Sequence, residues 1–301
     1  MTDISVIICT RDRCELLQRT IELLARQSIP AGKRFEIIIV DNDSSDATAQ
    51  VVKQLQRSIS IPLAYAVEPR VGLARARNRG MRMARGDILV FTDDDMIFSD
   101  SWLRALCDLF ACTPVPACVT GPVEVHRDSH PSLQPEIRKG RRRYRYPCEP
   151  WEVGRGNNMS FARRYLERAG AFDTRLGAGT ASGSGEDVDM FYRILKLGGE
   201  IVFDPEVSAY HDHRRHVPEE IEAVVRNYAV GGTAFLVKYA VRFDVFALKL
   251  LYWKYLSFRR GVEKAGDDRS YAPPVGTVQR IYMKGYFAGL LRGVRNLFER
   301  T

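Results

Sequence analysis

The sequence predicts an α/β protein built on a doubly wound, mostly parallel sheet with a C-terminal helical extension. Two observations carry this prediction. Through the first 110 residues, short β-branched runs alternate with segments of helical period. The runs are nearly continuous in apolar residues, as strands covered on both faces are. From about residue 218 the strand pattern stops and helical period takes over. The 301 residues, 45% hydrophobic and 27% charged, exclude a disordered or collagen-like chain and suffice for one large domain with an appendage. The predicted division is 1–216 for the sheet domain and 217–301 for the extension.

Ile4–Cys9, Phe35–Val40, Leu63–Val67 and Ile88–Thr92 are the first predicted strands, with helices between them over 13–26, 46–57, 73–85 and 101–110. Asp46 and Ser99–Ser101 offer N-cap chemistry, and Gly80 and Gly86 punctuate the third helix and its exit. Past Pro114, Cys118–Val125 reads as one strand and 126–150 as a Pro- and Arg-rich loop without apolar period. Asn157–Ala162 reads as a strand and 163–169 as a short helix. Gly177–Gly185 is a flexible glycine-rich stretch, Asp187–Leu197 a helix, and Ile201–Asp204 and Val207–His211 strands. The rest reads as helix, broken at 265–276.

Basic residues number 45 and acidic ones 37, a net of +8. Residues 217–301 hold 14 basic and 8 acidic residues, a net of +6, and Arg138, Lys139, Arg141, Arg142, Arg143 and Arg145 add +6 in one loop. Positive charge thus gathers in one loop and one tail, which points to an anionic partner at those places. The start lacks the basic region, apolar run and cleavage site of a secretory leader. The longest charge-free stretch of the apolar tail, 227–237, falls far short of the roughly 20 residues a spanning helix needs. The expected location is cytoplasmic, with the tail as a candidate peripheral contact to the inner face of the cytoplasmic membrane. The six cysteines form no C-x-x-C pair and no zinc spacing, so they read as small buried residues.

In an open α/β sheet, ligands bind beyond the carboxyl ends of the strands. Thr10, Arg11 and Asp12 follow the first predicted strand, Asp41, Asn42 and Asp43 the second, and Asp93, Asp94 and Asp95 the fourth. The first turn has no glycine, so the dinucleotide fingerprint is missing there, and no G-x-x-x-x-G-K-[ST] loop exists to cradle phosphates. Metal and arginine must then neutralise any bound diphosphate. Along an extended segment Asp93 and Asp95 point one way and Asp94 the other. Two such oxygens, completed by phosphate oxygens, suit Mg²⁺ or Mn²⁺. His211 and His213, after a later strand, add imidazole and tilt the choice toward Mn²⁺. Glu186 and Asp187 open a helix after the glycine stretch. They are either ordinary dipole-satisfying carboxylates or a general base under a closing loop.

Eight segments in order resemble family-2 glycosyltransferases of the GT-A fold: VIICTRDR (6–13), IIIVDNDSSD (37–46), VGLARARNRG (71–80), GDILVFTDDDM (86–96), GRGNNMSF (154–161), GAFDTRLGAG (170–179), SGEDVDMFYRILKLGGEIVFDP (184–205) and AYHDHR (209–214). The resemblance implies that Thr10, Arg11 and Asp41 line the nucleoside of a nucleotide-sugar donor, with Asp43 beside them. It implies that Gly72, Arg77 and Asn78 close over base and pyrophosphate. Asp93 is implied as the ribose contact, Asp94 as part of the donor site, and Asp95 as the metal-binding last acid of a D-x-D motif, with His211 reaching the same metal. Asp187 is implied as the base that deprotonates the acceptor hydroxyl for inverting attack, with Glu186 orienting it. The expected donor is a UDP-sugar.

Over Thr233–Arg260, Lys238, Arg242, Lys249 and Arg260 fall within about 40° of one another on a helical wheel, and Met283–Arg300 is a second basic amphipathic piece. Both read either as helices for an anionic leaflet or as a layer packed on the catalytic domain. A membrane contact would suit a lipid-linked saccharide acceptor, with Arg142 of the arginine loop on its pyrophosphate and Trp151 stacked on its sugar. The competing function is a non-catalytic nucleotide-sugar-binding or regulatory module. A nucleotidyltransferase would want a glycine- and lysine-bearing phosphate loop after the first strand. A nucleic-acid partner has only the +8 balance behind it.

Overall fold

The computed structural model describes residues 3–125, 140–212, 218–260 and 275–299. Arg138, Lys139, His213 and most of the predicted break at 265–276 lie outside the described residues. The strands are β1 (Ile4–Thr10), β2 (Phe35–Asp41), β3 (Leu63–Val67), β4 (Ile88–Asp93), β5 (Met96–Phe98), β6 (Cys118–Thr120), β7 (Val123–Val125), β8 (Arg142–Tyr144), β9 (Asn158–Ala162), β10 (Ile201–Phe203) and β11 (Ala209–His211). The helices are α1 (Cys14–Ala25), α2 (Thr48–Ser58), α3 (Leu73–Met83), α4 (Trp102–Phe110), α5 (Arg163–Ala169), α6 (Glu186–Lys196), α7 (Pro218–Ala240), α8 (Val245–Arg260) and α9 (Val275–Phe298).

The main sheet runs β3-β2-β1-β4-β9-β6-β10-β8, with β9 and β8 antiparallel to their neighbours and the other pairings parallel. Alternation along the strands feeds two cores. Val6, Ile8, Ile37 and Ile39 pack with α1, α2 and α4 on one face. Ile7, Ile38, Val40 and Phe91 pack with α3, α5 and α6 on the other. Both faces are therefore dry, which is why these strands read as continuous apolar runs.

A second sheet, β5-β11-β7, corrects the single strand predicted over Cys118–Val125. The chain changes sheets at Gly121-Pro122, where a Cβ on Gly121 would sit 1.9 Å from the Val207 carbonyl oxygen and Pro122 has no N–H to give a ladder. The predicted loop 126–150 also contains β8, an edge strand of arginines. Charge on an edge discourages further pairing and hides the strand from any apolar-period search. Its charges are partly matched: Arg141 pairs with Asp204, and Arg143 and Arg145 with Glu200.

The C-terminal helices pack on a third core that includes Leu176 and Tyr192 of the sheet domain. α7 and α9 run parallel and close. Gly285, Gly289 and Gly293 of α9 face Ala229, Thr233 and Val237 of α7, leaving no room for a Cβ at any of the three. None of the helices, among the described residues, is long and apolar enough to cross a membrane.

Thr233–Arg260 is not one amphipathic helix, as its wheel suggested. The chain turns at 241–244, where Phe243 takes a left-handed φ of 58°, and α8 starts afresh with Asp244 accepting from the Phe246 and Ala247 N–H groups. Lys238 leaves the expected wet face and turns inward to Asp173 and Asp189. Burial would raise the Asp173 carboxyl, but two hydrogen bonds from Arg175 at 2.8 Å and the charge of Lys238 at 3.2 Å hold it well below its usual range.

A depressed carboxylate stabilises the fold above its unfolded pKa and loses that contribution as pH falls toward the folded value. The protein is therefore expected to lose stability as pH drops below about 4. Asp173→Asn is expected to cost about 2 kcal/mol at neutral pH and to flatten the acid limb. Urea unfolding at a series of pH values checks both; an unchanged acid limb would exclude Asp173 as its cause.

Candidate active site

Strand register assembles the site. Thr10 is the Cα partner of Asp41 across β1 and β2, and Cys9 is the partner of Asp93 across β1 and β4. Three strand ends thus present polar groups at one rim. Asp41 is buried, accepting from the Tyr65 hydroxyl at 2.6 Å and the Ser44 N–H at 2.8 Å. Asn42 donates to the carbonyls of Glu68 and Arg70 and accepts from the Gly72 N–H at 2.8 Å. This fixes the entrance to α3 beside Asp41. Asp43 sits at a left-handed φ of 66° and Arg11 is exposed.

The acid turn follows β4. Thr10 donates to Asp94 Oδ2 at 2.6 Å, and Arg13 reaches Asp94 Oδ1 at 3.2 Å and Asp95 Oδ2 at 2.9 Å. Burial and the neighbouring Asp95 push the Asp94 carboxyl up to about 7 against the pull of Arg13 and the Thr10 hydroxyl. Asp95 Oδ1 lies 2.9 Å from His211 Nε2. The second sheet delivers that imidazole: β11 pairs with β5 next to the acid turn, and the Asp212 N–H donates to the Asp95 carbonyl at 2.9 Å. Arg19 of α1 holds the Asp212 carboxylate at 2.8 Å.

One ligand atom each from Asp93, Asp95 and His211 lies within 4.8 Å of the others. Two carboxylates and an imidazole at a sheltered strand end fit a divalent cation of the Mg²⁺ or Mn²⁺ class. Asp93 closes β4, while Asp94 and Asp95 lie in the turn that follows rather than in the extended segment expected; Asp94 takes the Thr10 hydroxyl, and Arg13 bridges Asp94 and Asp95. Asp93, assigned to the ribose by resemblance, converges on the same point as Asp95 and His211.

Across the rim stands the second acidic pair. Glu186 is buried and its Oε1 meets Arg77 Nη1 at 2.8 Å, while Arg77 Nη2 donates to the Gly156 carbonyl at 2.9 Å. The guanidinium also lies 3.8 Å from Asp93 Oδ1, so Arg77 joins the two clusters. Burial and the adjacent Asp187 push Glu186 up to about 7 against Arg77. Asp187 is half-exposed, and its Oδ1 accepts from the Val188 N–H at 2.8 Å. A Cβ on Gly156 would lie 2.6 Å from Asp187 Oδ2, so glycine leaves that carboxylate its space.

Two expectations are corrected here. Arg77 and Asn78 turn inward instead of closing over base and pyrophosphate: Arg77 braces Glu186, and Asn78 brackets the Phe172 backbone with its amide oxygen and nitrogen at 2.7 and 2.9 Å. The 177–185 stretch is clasped rather than loose. The Leu73 N–H donates to the Ala178 carbonyl, Ser184 to the Asn227 carbonyl, and Asn296 to Ser182. Its glycines serve close approach, as where a Cβ on Gly185, at a φ of 98°, would meet the Gly231 carbonyl of α7 at 2.8 Å. β8, which carries Arg142, stands four places beyond β4, about 19 Å across the sheet from the acid turn. Trp151 donates to Glu149 at 2.7 Å and lies under Lys254 of α8, against the helical layer.

Arg13, Asn42 and Asp212 were not singled out from the sequence for the parts they take. Arg13 ends the first motif, and that polar turn was the available signal. The partners of Asn42 and Asp212 lie 26 to 193 residues away and left no local trace.

The fold is of the GT-A type. The pattern described as Glycosyl transferase family 2 matches residues 5–170, more than half of the chain, and the chain belongs to that family. Glu186, Asp187 and His211 lie beyond the matched stretch. The chain is 30% identical over 214 residues to the succinoglycan biosynthesis protein ExoM of Rhizobium meliloti (strain 1021), covering 67% of this chain and 64% of that protein. It is 33% identical over 116 residues to a validoxylamine A glucosyltransferase of Streptomyces hygroscopicus subsp. jinggangensis (strain 5008), covering 38% and 27%. The chain thus spans less than two thirds of the length of these relatives.

Among solved structures, a mannosyltransferase from Pyrobaculum calidifontis in complex with GDP-Man and Mn²⁺ superposes with a TM-score of 0.64 at 20% identity, covering 99% of this chain and 88% of that one. S. aureus TarS 1-349 in complex with UDP-GlcNAc gives 0.59 at 16%, covering 98% and 92%.

Proposed function

We propose that the chain is a metal-dependent inverting glycosyltransferase. It would move a sugar from a UDP-sugar to a hydroxyl of a saccharide acceptor, with 1–216 as the catalytic part and 217–301 as a helical extension that braces it. The observation behind this reading is that a metal-type cluster and a reachable carboxylate face one rim, joined through Arg77. A non-catalytic binding module would need no second acidic pair.

Asp93, Asp95 and His211 would hold Mn²⁺ or Mg²⁺, which when bound neutralises charge developing on a leaving diphosphate. Asp41 and the Asn42-fixed turn at Gly72 would seat the nucleoside. Asp187 would take the proton from the acceptor hydroxyl, and an attack from the face opposite the leaving group inverts the anomeric centre. Glu186, tied to Arg77, would position α6 rather than touch substrate. The clasped 177–185 segment would limit water at the reacting carbon, protecting the donor from hydrolysis.

Calorimetry with UDP, dTDP and GDP, each with and without Mn²⁺, tests the donor site. UDP is expected to bind only with the metal, at least about tenfold more tightly than GDP or dTDP, a difference of about 1.4 kcal/mol. Preference for GDP would overturn the choice of base alone, whereas no binding of any nucleotide would overturn the donor site around Asp41 and Asp95.

A further inference from the structure

The outward face of α9 is apolar and edged with cations. Phe287, Leu291, Val294 and Phe298 recur at spacings of four, three and four, so they share one face. All four are exposed, Leu291 at 67% and Phe298 at 83%. Arg280, Lys284 and Arg295 are also exposed and fall within about 80° of that stripe on the helix. α8 repeats the composition, with Val245, Leu248 and Tyr252 exposed beside Lys249. Together α8 and α9 carry eight Lys and Arg and no Asp or Glu. The connection at 261–274, which contains Glu263, Asp267 and Asp268, lies outside the described residues.

We infer that this face of α9 is a docking surface for an anionic lipid bilayer. Large apolar side chains flanked by cations suit the boundary between headgroups and acyl chains. A second copy of the chain on the same face would set cation against cation, which disfavours self-association there. The opposite side of α9 is occupied by α7, and among the described residues the stripe itself stays exposed. Arg175 donates to the Asn296 carbonyl, and Asn296 to Ser182. The helix that would meet lipid is therefore also the one bracing the segment ahead of Asp187. If the catalytic reading holds, this favours an acceptor presented at the membrane surface. The docking itself does not depend on that reading.

Flotation of the full chain with phosphatidylglycerol–phosphatidylcholine vesicles, against phosphatidylcholine alone, tests the inference, alongside light scattering of the free protein. Wild type is expected to float with the anionic vesicles, to be released by salt, and to leave the neutral ones. The double variant Leu291→Glu/Phe298→Glu is expected to stay at the bottom. Lys284→Gln/Arg295→Gln is expected to bind about fivefold more weakly for each charge removed. These side chains are exposed, so circular dichroism should show every variant folded. Failure of wild type to float, or equal flotation with neutral vesicles, would overturn the proposal. So would a dimer in free solution that the Leu291→Glu/Phe298→Glu change dissociates, because the stripe would then cover a second copy. Nucleotide binding by the floating-deficient variants separates a failed surface from a failed donor site.

Discussion

Asp187→Asn is expected to lower kcat about a thousandfold, the scale of a positioned general base, while nucleotide affinity and fold stay within error of wild type. The substitution is nearly isosteric, and the amide oxygen can still accept the Val188 N–H that Asp187 Oδ1 accepts now. What disappears is the basic oxygen on the half-exposed side of α6. Because the proton moves only as the acceptor attacks, kcat and kcat/KM should fall together. Glu186→Gln is the control. Its carboxylate is buried against Arg77, so its loss should disturb stability and α6 before it disturbs proton transfer. Steady-state kinetics of both variants, with calorimetric nucleotide binding, decide the matter. An Asp187→Asn enzyme within tenfold of wild type would remove Asp187 from the role of base.

Asp95→Asn is expected to abolish metal-dependent nucleotide binding and to lower kcat/KM by about a thousandfold or more, as loss of charge stabilisation on a leaving group does. Asp95 takes part in two pairs at once, with Arg13 and with His211, so no neighbouring carboxylate replaces it without moving the turn. Mn²⁺ binding followed by electron paramagnetic resonance gives a readout apart from turnover: the variant should leave the metal free at concentrations that saturate wild type. Retained Mn²⁺ affinity would show that Asp95 is not a ligand. Removing metal from wild type with a chelator should reproduce the kinetic loss and be reversed by adding Mn²⁺.

The sheet and its polar rim were largely legible because their signals are local. The first four strands appear within one residue of their predicted ends, and in β1, β2 and β4 burial on both faces leaves an apolar run that stops where the rim begins. The polar rim at the ends of β1, β2 and β4 followed from where the apolar runs stop, whereas Asp94 and Asp95 lie in a turn that strand alternation does not describe. What was hidden depends on distance. Asp46 offered N-cap chemistry, but it also accepts from the Cys14 N–H at the start of α1, 32 residues away. The sheet switch at Gly121 is dictated by Val207, and the inward turn of Lys238 by Asp173 and Asp189. A helical wheel places a charge on a face without knowing whether a buried carboxylate waits there. The glycines of 177–185 look like freedom in a sequence, and contact with α7 and α9 makes them points of closure.

The parallel pairing of α7 and α9 leaves one local ambiguity along its glycine track, which contacts beyond that track resolve. Its three glycines step in fours, and so do the residues they face. Sliding α9 by four residues, about 6 Å along its axis, would set Gly289 opposite Ala229 and Gly293 opposite Thr233, again small against small. Along the glycine track itself the fit repeats, but the slide would take Tyr282 and Tyr286 off Phe258. Asn296 marks the same setting, because the slid helix would carry it away from Ser182 and carry its carbonyl away from Arg175. Those two contacts act as an index mark on a vernier, and the height at which the outer stripe rides above the active-site rim is read from them.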